Sequence, residues 1–271
     1  MTRVLITGAS GGIGAATALA LRERGAEVLG LDIEASGEDV IACDVCDQGS
    51  VDAAVAEAVE RLGGLDVLIN CAGIGLPQSA AERPGEDALA VLDVNLVGPW
   101  RVSAAALPAL RETNGRVVNV ASGLAHLSIP LGTAYCMSKR GLTSYSDALR
   151  LELDGAVEVT TVYPGYIRTP IHDAASEQGI ALDGMVPAES LCSAAASLVR
   201  AALERPRRDL ATTRRGGLGY LLLRLAPRRL VDRLVRSRMR RAASRGELDG
   251  AEMAAELRTS LLAPRRARSA S

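Results

Sequence analysis

Tyr135 and Lys139 stand four residues apart in the run YCMSK. On a helix that spacing puts both side chains on one face. A phenol with a pKa of about 10 is a poor base near neutral pH, but an ammonium a few ångströms away stabilises the phenolate. Bringing such a phenol down to neutrality takes about 4 kcal/mol of preferential stabilisation. The pair is therefore suited to give or take the proton of a carbonyl/alcohol couple. Lys139 is also the only lysine among 31 Lys and Arg residues, so arginine fills every other basic role. A lysine is a compact point charge, whereas arginine is a bulky fork that stays protonated. Ser122 lies 13 residues before Tyr135, just after the apolar run GRVVNV. A hydroxyl at the carboxyl end of such a strand can hydrogen-bond a substrate oxygen as charge develops on it.

A second group of residues is suited to hold a dinucleotide. The run RVLIT leads into TGASGGIG, with Gly8, Gly12 and Gly14 where a strand turns into a helix. Glycines there let the backbone approach a pyrophosphate, and the helix N-terminus stabilises its charge. The spacing G-x-x-x-G-x-G departs from the commoner G-x-G-x-x-G. Asp32 ends the second apolar run, EVLGLD, 18 residues after Gly14. A carboxylate there can accept hydrogen bonds from the adenosine ribose and repels a 2′-phosphate. No Arg or Lys flanks it or lies in the glycine loop, so NAD is the expected cofactor.

The elements that must position these residues are legible as periodicity. Short apolar runs RVLIT, EVLGLD, VIACDV, LDVLIN, GRVVNV and VEVTTVYP alternate with amphipathic segments at 13–24, 50–62, 86–111 and 134–153. DLATT at 209–213 could add a last strand. Near-continuous apolar strands alternating with helices indicate a doubly wound, Rossmann-type α/β fold, a parallel sheet of about seven strands with helices on both faces. The chain of 271 residues divides into a catalytic region, 1–213, a basic helical extension, 214–262, and a disordered tail, 263–271. Residues 1–204 carry a net charge of −13 and residues 205–271 one of +12, so the overall −1 hides an acidic body and a basic end. The extension reads as two cationic amphipathic helices hinged near Pro227, with a third over roughly 247–262. Its leucines suit a lid over the substrate, contact with an anionic membrane surface, or a structural cap.

Five scattered cysteines and no signal peptide or spanning segment lead us to expect a reduced, cytoplasmic protein. Cys43 and Cys46 form a C-x-x-C, but with only two histidines in the chain we expect no metal site. His126 and His172 lack ligand spacing; each could contact substrate or be ordinary loop polarity. The near-neutral overall charge gives no reason to expect nucleic acid.

The ordered set TGASGGIG, Asp32, CDV, NCAG, Asn95, Ser122, YCMSK and YPGYIRT resembles the short-chain dehydrogenase/reductase family over about residues 3–213. NCAG departs from the family in having Cys71 where a second Asn is commoner. The resemblance implies hydride transfer between nicotinamide and a carbonyl/alcohol pair. Ser122, Tyr135, Lys139 and Asn95 would be catalytic, Asn95 through a water relay from Lys139. It implies that Gly8, Ser10, Gly11, Gly12, Ile13 and Gly14 cradle the phosphates, with Asp32 on the ribose and Asp44 and Val45 beside the adenine. Asn70, Ala72 and Gly73 would line the adenosine and ribose. Lys139 would hold the nicotinamide ribose beside Tyr135, and Pro164, Gly165, Ile167 and Thr169 the nicotinamide end. It also implies a homodimer or homotetramer paired through the helices at 86–111 and 134–153. The run AYCMSKRGLTSYSDALRLEL and the leucine-rich extension are similar to the retinol and hydroxysteroid dehydrogenase branch, which implies a lipophilic alcohol or ketone. Small polyols, 3-oxoacyl thioesters and a non-catalytic dinucleotide sensor are the alternatives.

Overall fold

The structure is a computed structural model that describes residues 1–169, 171, 188–213 and 216–263. His172 and the end of the tail, 264–271, lie outside the described residues. Strands β1 (Arg3–Thr7), β2 (Glu27–Asp32), β3 (Val40–Ala42), β4 (Val67–Asn70), β5 (Arg116–Val120), β6 (Glu158–Tyr163) and β7 (Asp209–Ala211) form one sheet. Their order is β3-β2-β1-β4-β5-β6-β7. Every pairing is parallel. Parallel strands need crossover helices, and those helices cover both faces. Helices α1 (Gly12–Glu23) and α6 (Leu191–Leu203) bury Leu21 and Leu198 against one face, where Ile6, Ile69 and Val162 lie. Helices α2 (Gln48–Leu62), α4 (Gly98–Glu112) and α5 (Thr133–Leu153) bury Val55, Leu110 and Leu149 against the other, where Leu5, Leu68 and Val117 lie. This is the doubly wound fold that the alternating pattern implied.

Two elements differ from the pattern in ways that matter for the site. The run VIACDV is a strand only over Val40–Ala42. Beyond it the Asp44 carboxylate accepts from the Cys46 N–H at 2.8 Å, which curls the chain out of the sheet. The single helix expected over 86–111 is α3 (Glu86–Leu92), a wide π-helical turn at Asp93–Val97, then α4. Pro99 has no N–H to give to Asn95, so the regular ladder breaks there. Gly98 donates instead to the Asp93 carbonyl, a step of five residues. Such bulges often mark functional positions, and Asn95 sits inside this one.

The basic end forms α7 (Gly216–Leu225), α8 (Arg228–Ser244) and α9 (Ala255–Leu262), with Pro227 between the first two. The helix expected over 247–262 starts late because a turn at Gly246, φ 77°, and Asp249 precedes it. Val231, Met239, Ala243, Leu248 and Leu261 pack with Leu127, Ile129 and Leu131 of the segment after Ser122.

Candidate active site

All the candidate side chains arise at the carboxyl edge of the sheet. β1 and β4 are neighbours although their onward connections run to opposite sides, and this switch in strand order opens a crevice. β1 feeds the glycine loop into α1. A Cβ at Gly14 would lie 1.9 Å from the Gly8 carbonyl oxygen, so only glycine lets α1 start this close to β1. Gly8 has φ +70°, and a Cβ there would meet the Ala72 backbone at 2.8 Å. Gly11 precedes the first turn of α1, and its carbonyl receives the Ala15 N–H. The loop is thus bare backbone at a helix N-terminus, a cradle that fits a pyrophosphate.

Asp32 at the end of β2 accepts from the Ser10 N–H at 2.8 Å and from the Ile33 N–H at 2.8 Å. This ties the carboxylate to the glycine loop. Val45 packs against Gly98, where a Cβ would lie 3.0 Å away. Thr7, which the sequence reading did not single out, accepts from the Cys71 and Ala72 N–H groups at 3.0 Å each. It fixes the NCAG turn beside the glycine loop; its only signal was its place just before Gly8. On the far side, Thr169 stands 3.7 Å from where a Gly12 Cβ would be, so the segment after β6 returns to the phosphate cradle. Ile167 is buried. Pro164 accepts from the Gly123 N–H at 2.8 Å, which binds this segment to the one carrying Ser122.

Asn70 turns away from the crevice. Its amide donates to Asn119 at 2.8 Å and to Ser103 at 3.0 Å, and Asn119 donates to Ser146 at 2.9 Å. This buried relay locks β4 and β5 to α4 and α5. Small polar residues on otherwise apolar helix faces were its only trace in the sequence.

Ser122, Tyr135, Lys139 and Asn95 come together. Ser122 follows β5, is buried, and accepts from the Leu124 N–H at 3.2 Å. Tyr135 lies in the first turn of α5, with its phenol close enough to Ser122 for that hydroxyl to lower its pKa. Lys139, one turn on, is only 4% exposed. Its Nζ donates to the Val120 carbonyl at 3.0 Å and lies 5.8 Å from the Tyr135 ring centroid. Asn95 is fully buried. Its Oδ1 accepts from the Ile74 N–H at 2.8 Å; its Nδ2 donates to the Ile74 carbonyl at 2.9 Å and to Ser138 at 3.2 Å. A Cβ at Gly73 would lie 3.0 Å from Asn95 Oδ1 and 3.4 Å from Lys139 Nζ, so Gly73 is the floor between them.

Burial dominates the electrostatics of the group in the protein alone. It pushes the Tyr135 phenol up to about 12, against the pull of the Ser122 hydroxyl. It lowers Lys139 to about 8, with the Cys71 thiol opposing. The lysine does not by itself bring the phenol to neutrality, because desolvation is the largest influence on both groups. At neutral pH the arrangement is a neutral phenol beside a buried ammonium, able to donate a proton to an oxygen held by Ser122.

His126 is not free to act in this way. Its ring stacks on Tyr220 at 4.8 Å and lies tilted against Tyr163 at 4.6 Å. Burial and then the charge of Arg224 lower its pKa to about 4. The Tyr220 hydroxyl would be 2.5 Å from a Cβ at Gly123, so α7 presses on the backbone next to Ser122.

A family model described as short chain dehydrogenase matches residues 2–179. The chain is 33% identical over 201 residues to D-threitol dehydrogenase of Mycolicibacterium smegmatis, covering 68% of this chain and 77% of that protein. It is 37% identical over 183 residues to retinol dehydrogenase 7 of Rattus norvegicus, covering 62% of this chain but only 57% of that protein. Among solved structures, a short chain dehydrogenase from Burkholderia cenocepacia in complex with NADP superimposes with a TM-score of 0.73 at 26% identity, covering 86% of this chain and 97% of that one. With the cradle, the crevice and the Ser122–Tyr135–Lys139 cluster in the order the family requires, this chain belongs to the short-chain dehydrogenases, oxidoreductases that use a nicotinamide dinucleotide.

Proposed function

We propose that the protein interconverts a lipophilic secondary alcohol and its ketone, or the corresponding aldehyde, with NAD as cofactor. The observation that carries the chemistry is the buried Lys139, held on the Val120 carbonyl 5.8 Å from the Tyr135 ring centroid, with Ser122 buried beside the same phenol. The bound nicotinamide supplies hydride in reduction and accepts it in oxidation. In reduction the Ser122 hydroxyl donates to the carbonyl oxygen and holds it at the phenol. Tyr135 gives that oxygen its proton as the carbonyl carbon becomes tetrahedral, and a phenolate remains. Lys139, positive below about pH 8, stabilises the phenolate until a proton returns from solvent. Asn95 spans Ile74 and Ser138 and so holds the wall through which that proton passes. Oxidation runs the same path backwards, with the phenolate as base.

Asp32 supports NAD over NADP. Its carboxylate is fixed beside Ser10, and no cation lies in the loops 8–14 or 33–38 to receive a 2′-phosphate. The NADP of the Burkholderia structure belongs to that protein. Ile74, Leu76 and Tyr135 pack against one apolar cluster, and Ile171 lies against Gly75, an apolar wall that suits a hydrocarbon substrate. The resemblance to retinol dehydrogenase supports the same reading. The likeness to D-threitol dehydrogenase favours a second one, a small polyol. A homodimer or homotetramer is supported by exposed Leu89, Trp100 and Leu151 on α3, α4 and α5 respectively. The reaction is tested by following NADH formation over a panel of retinoid, steroid and polyol alcohols. Turnover of long apolar alcohols that exceeds that of polyols is expected. Turnover confined to polyols would overturn the substrate reading, and no turnover with any alcohol or carbonyl would overturn the catalytic one.

A further inference from the structure

The basic end presents a surface that hydride transfer does not use. Tyr220 and Leu223 face inward from α7 and seat it on the body beside Gly123 and Tyr163. The opposite side of the same helix carries Leu218, Leu221, Leu222 and Leu225, exposed by 67%, 51%, 58% and 74%. Their steps of three, one and three residues put them in one stripe. Leu230 and Leu234, 53% and 42% exposed, are one turn apart at the start of α8. Helix α8 in turn is seated by Val231 and Met239 on the Leu127–Leu131 segment. The large apolar side chains of the two amphipathic helices are thus divided. Leu223 and Val235 turn inward and six large apolar side chains are left in water, which for a soluble surface is unfavourable.

The charge around the stripe is of one sign. Residues 216–245 hold nine arginines and a single acid, Asp232. Arg228, Arg229, Arg233 and Arg236 are exposed and make no ion pair among the described residues. A helix facing water ordinarily mixes signs; a leucine stripe rimmed by arginine matches an acyl boundary beneath anionic phosphates. Two such faces on two copies would repel one another. No described helix is long and apolar enough to cross a membrane, so the surface would lie on one.

We propose that α7 and α8 form a docking surface for an anionic lipid bilayer, with the six leucines inserted at the headgroup boundary and the arginines on the phosphates. Because the inward sides of the same helices press on Gly123 and on Leu127–Leu131, docking places the segment after Ser122 directly beneath the helices that meet the lipid. The test is sedimentation of the full chain with phosphatidylcholine vesicles, with and without phosphatidylglycerol, at rising salt. The protein should pellet with the anionic vesicles, remain in solution with the neutral ones, and be released by salt. The variant L218S/L222S/L225S should bind the anionic vesicles more than tenfold more weakly. Its melting temperature and sedimentation coefficient, measured without lipid, should match those of the wild type, since the replaced side chains are exposed. Three results overturn the proposal: no pelleting of the wild type at low salt; undiminished binding by the leucine variant, which leaves only adsorption of charge; or an oligomer that falls apart in the leucine variant, which assigns the stripe to a second copy. None of these readouts depends on the substrate, so they stand or fall apart from the catalytic reading.

Discussion

Replacing Lys139 by Met should make the protein more stable while disabling it. Lys139 is 4% exposed, and the hydrogen bond its Nζ donates is to the Val120 carbonyl. Burial brings its pKa from 10.5 down to about 8. Since one pKa unit corresponds to about 1.4 kcal/mol, keeping the amine charged costs the fold roughly 3 kcal/mol at neutral pH. Methionine fills a similar volume without charge. Leaving the Val120 carbonyl unpaired takes back about 1 kcal/mol, so the net gain is about 2 kcal/mol. For a chain of this size that corresponds to a melting temperature roughly 4–8 °C higher.

The pH dependence distinguishes this cause from better packing. The folded-state pKa lies below the unfolded one, so the unfolded chain binds more protons between them. The penalty is therefore complete below about pH 8, fades as pH rises towards 10.5, and is absent above. The advantage of the Met variant should shrink over that window. Thermal melts by circular dichroism across it provide the measurement, and turnover should be reduced about 100-fold or more at the same time. A Met variant that melts below the wild type near neutral pH, or whose advantage does not change with pH, would refute the reasoning.

Four other outcomes follow from the site. Tyr135→Phe should keep NAD affinity within a few-fold and lower turnover by about 100-fold or more; a variant retaining more than about a tenth of the rate would remove Tyr135 from the acid/base role. Asp32→Arg should shrink or invert the ratio of NAD to NADP efficiency, and equal use of both by the unaltered protein would count against Asp32 as the discriminator. Gly14→Ala puts a methyl into the Gly8 carbonyl, so NAD titrated by fluorescence should bind at least tenfold more weakly, and unchanged affinity would show that the loop can move aside. Sedimentation at micromolar concentration should give a dimer or tetramer, and a monomer alone would exclude pairing through α3, α4 and α5.

The strands and the order of the helices were legible because burial on both faces of a parallel sheet leaves near-continuous apolar runs. Boundaries failed where a single side chain or an absent N–H decided them. Asp44 ends β3 by binding the Cys46 N–H, and Pro99 opens the π-helical turn that carries Asn95. Neither effect changes the hydrophobic period, so periodicity passes over both. The late start of α9 has the same origin, a Gly246–Asp249 turn inside a segment whose apolar pattern continues.

Site residues were legible in proportion to how far their chemistry is local. Tyr135 and Lys139 are fixed by one helix, and Gly8 and Gly14 by one turn, so spacing alone brings them together. Asn70 and Thr7 are decided by partners 33 to 65 residues away, and no spacing announces them. The protonation state is less local still. An i, i+4 phenol and ammonium suggest a lowered phenol pKa, yet in the folded chain the phenol goes up and the ammonium goes down. Both shifts arise chiefly from burial in the folded chain, which no pair of residues four apart can report. That burial holds Tyr135 as a neutral acid in the protein alone. The positive charge of an oxidised nicotinamide would then be the second requirement for a phenolate, so the base forms where oxidation can follow.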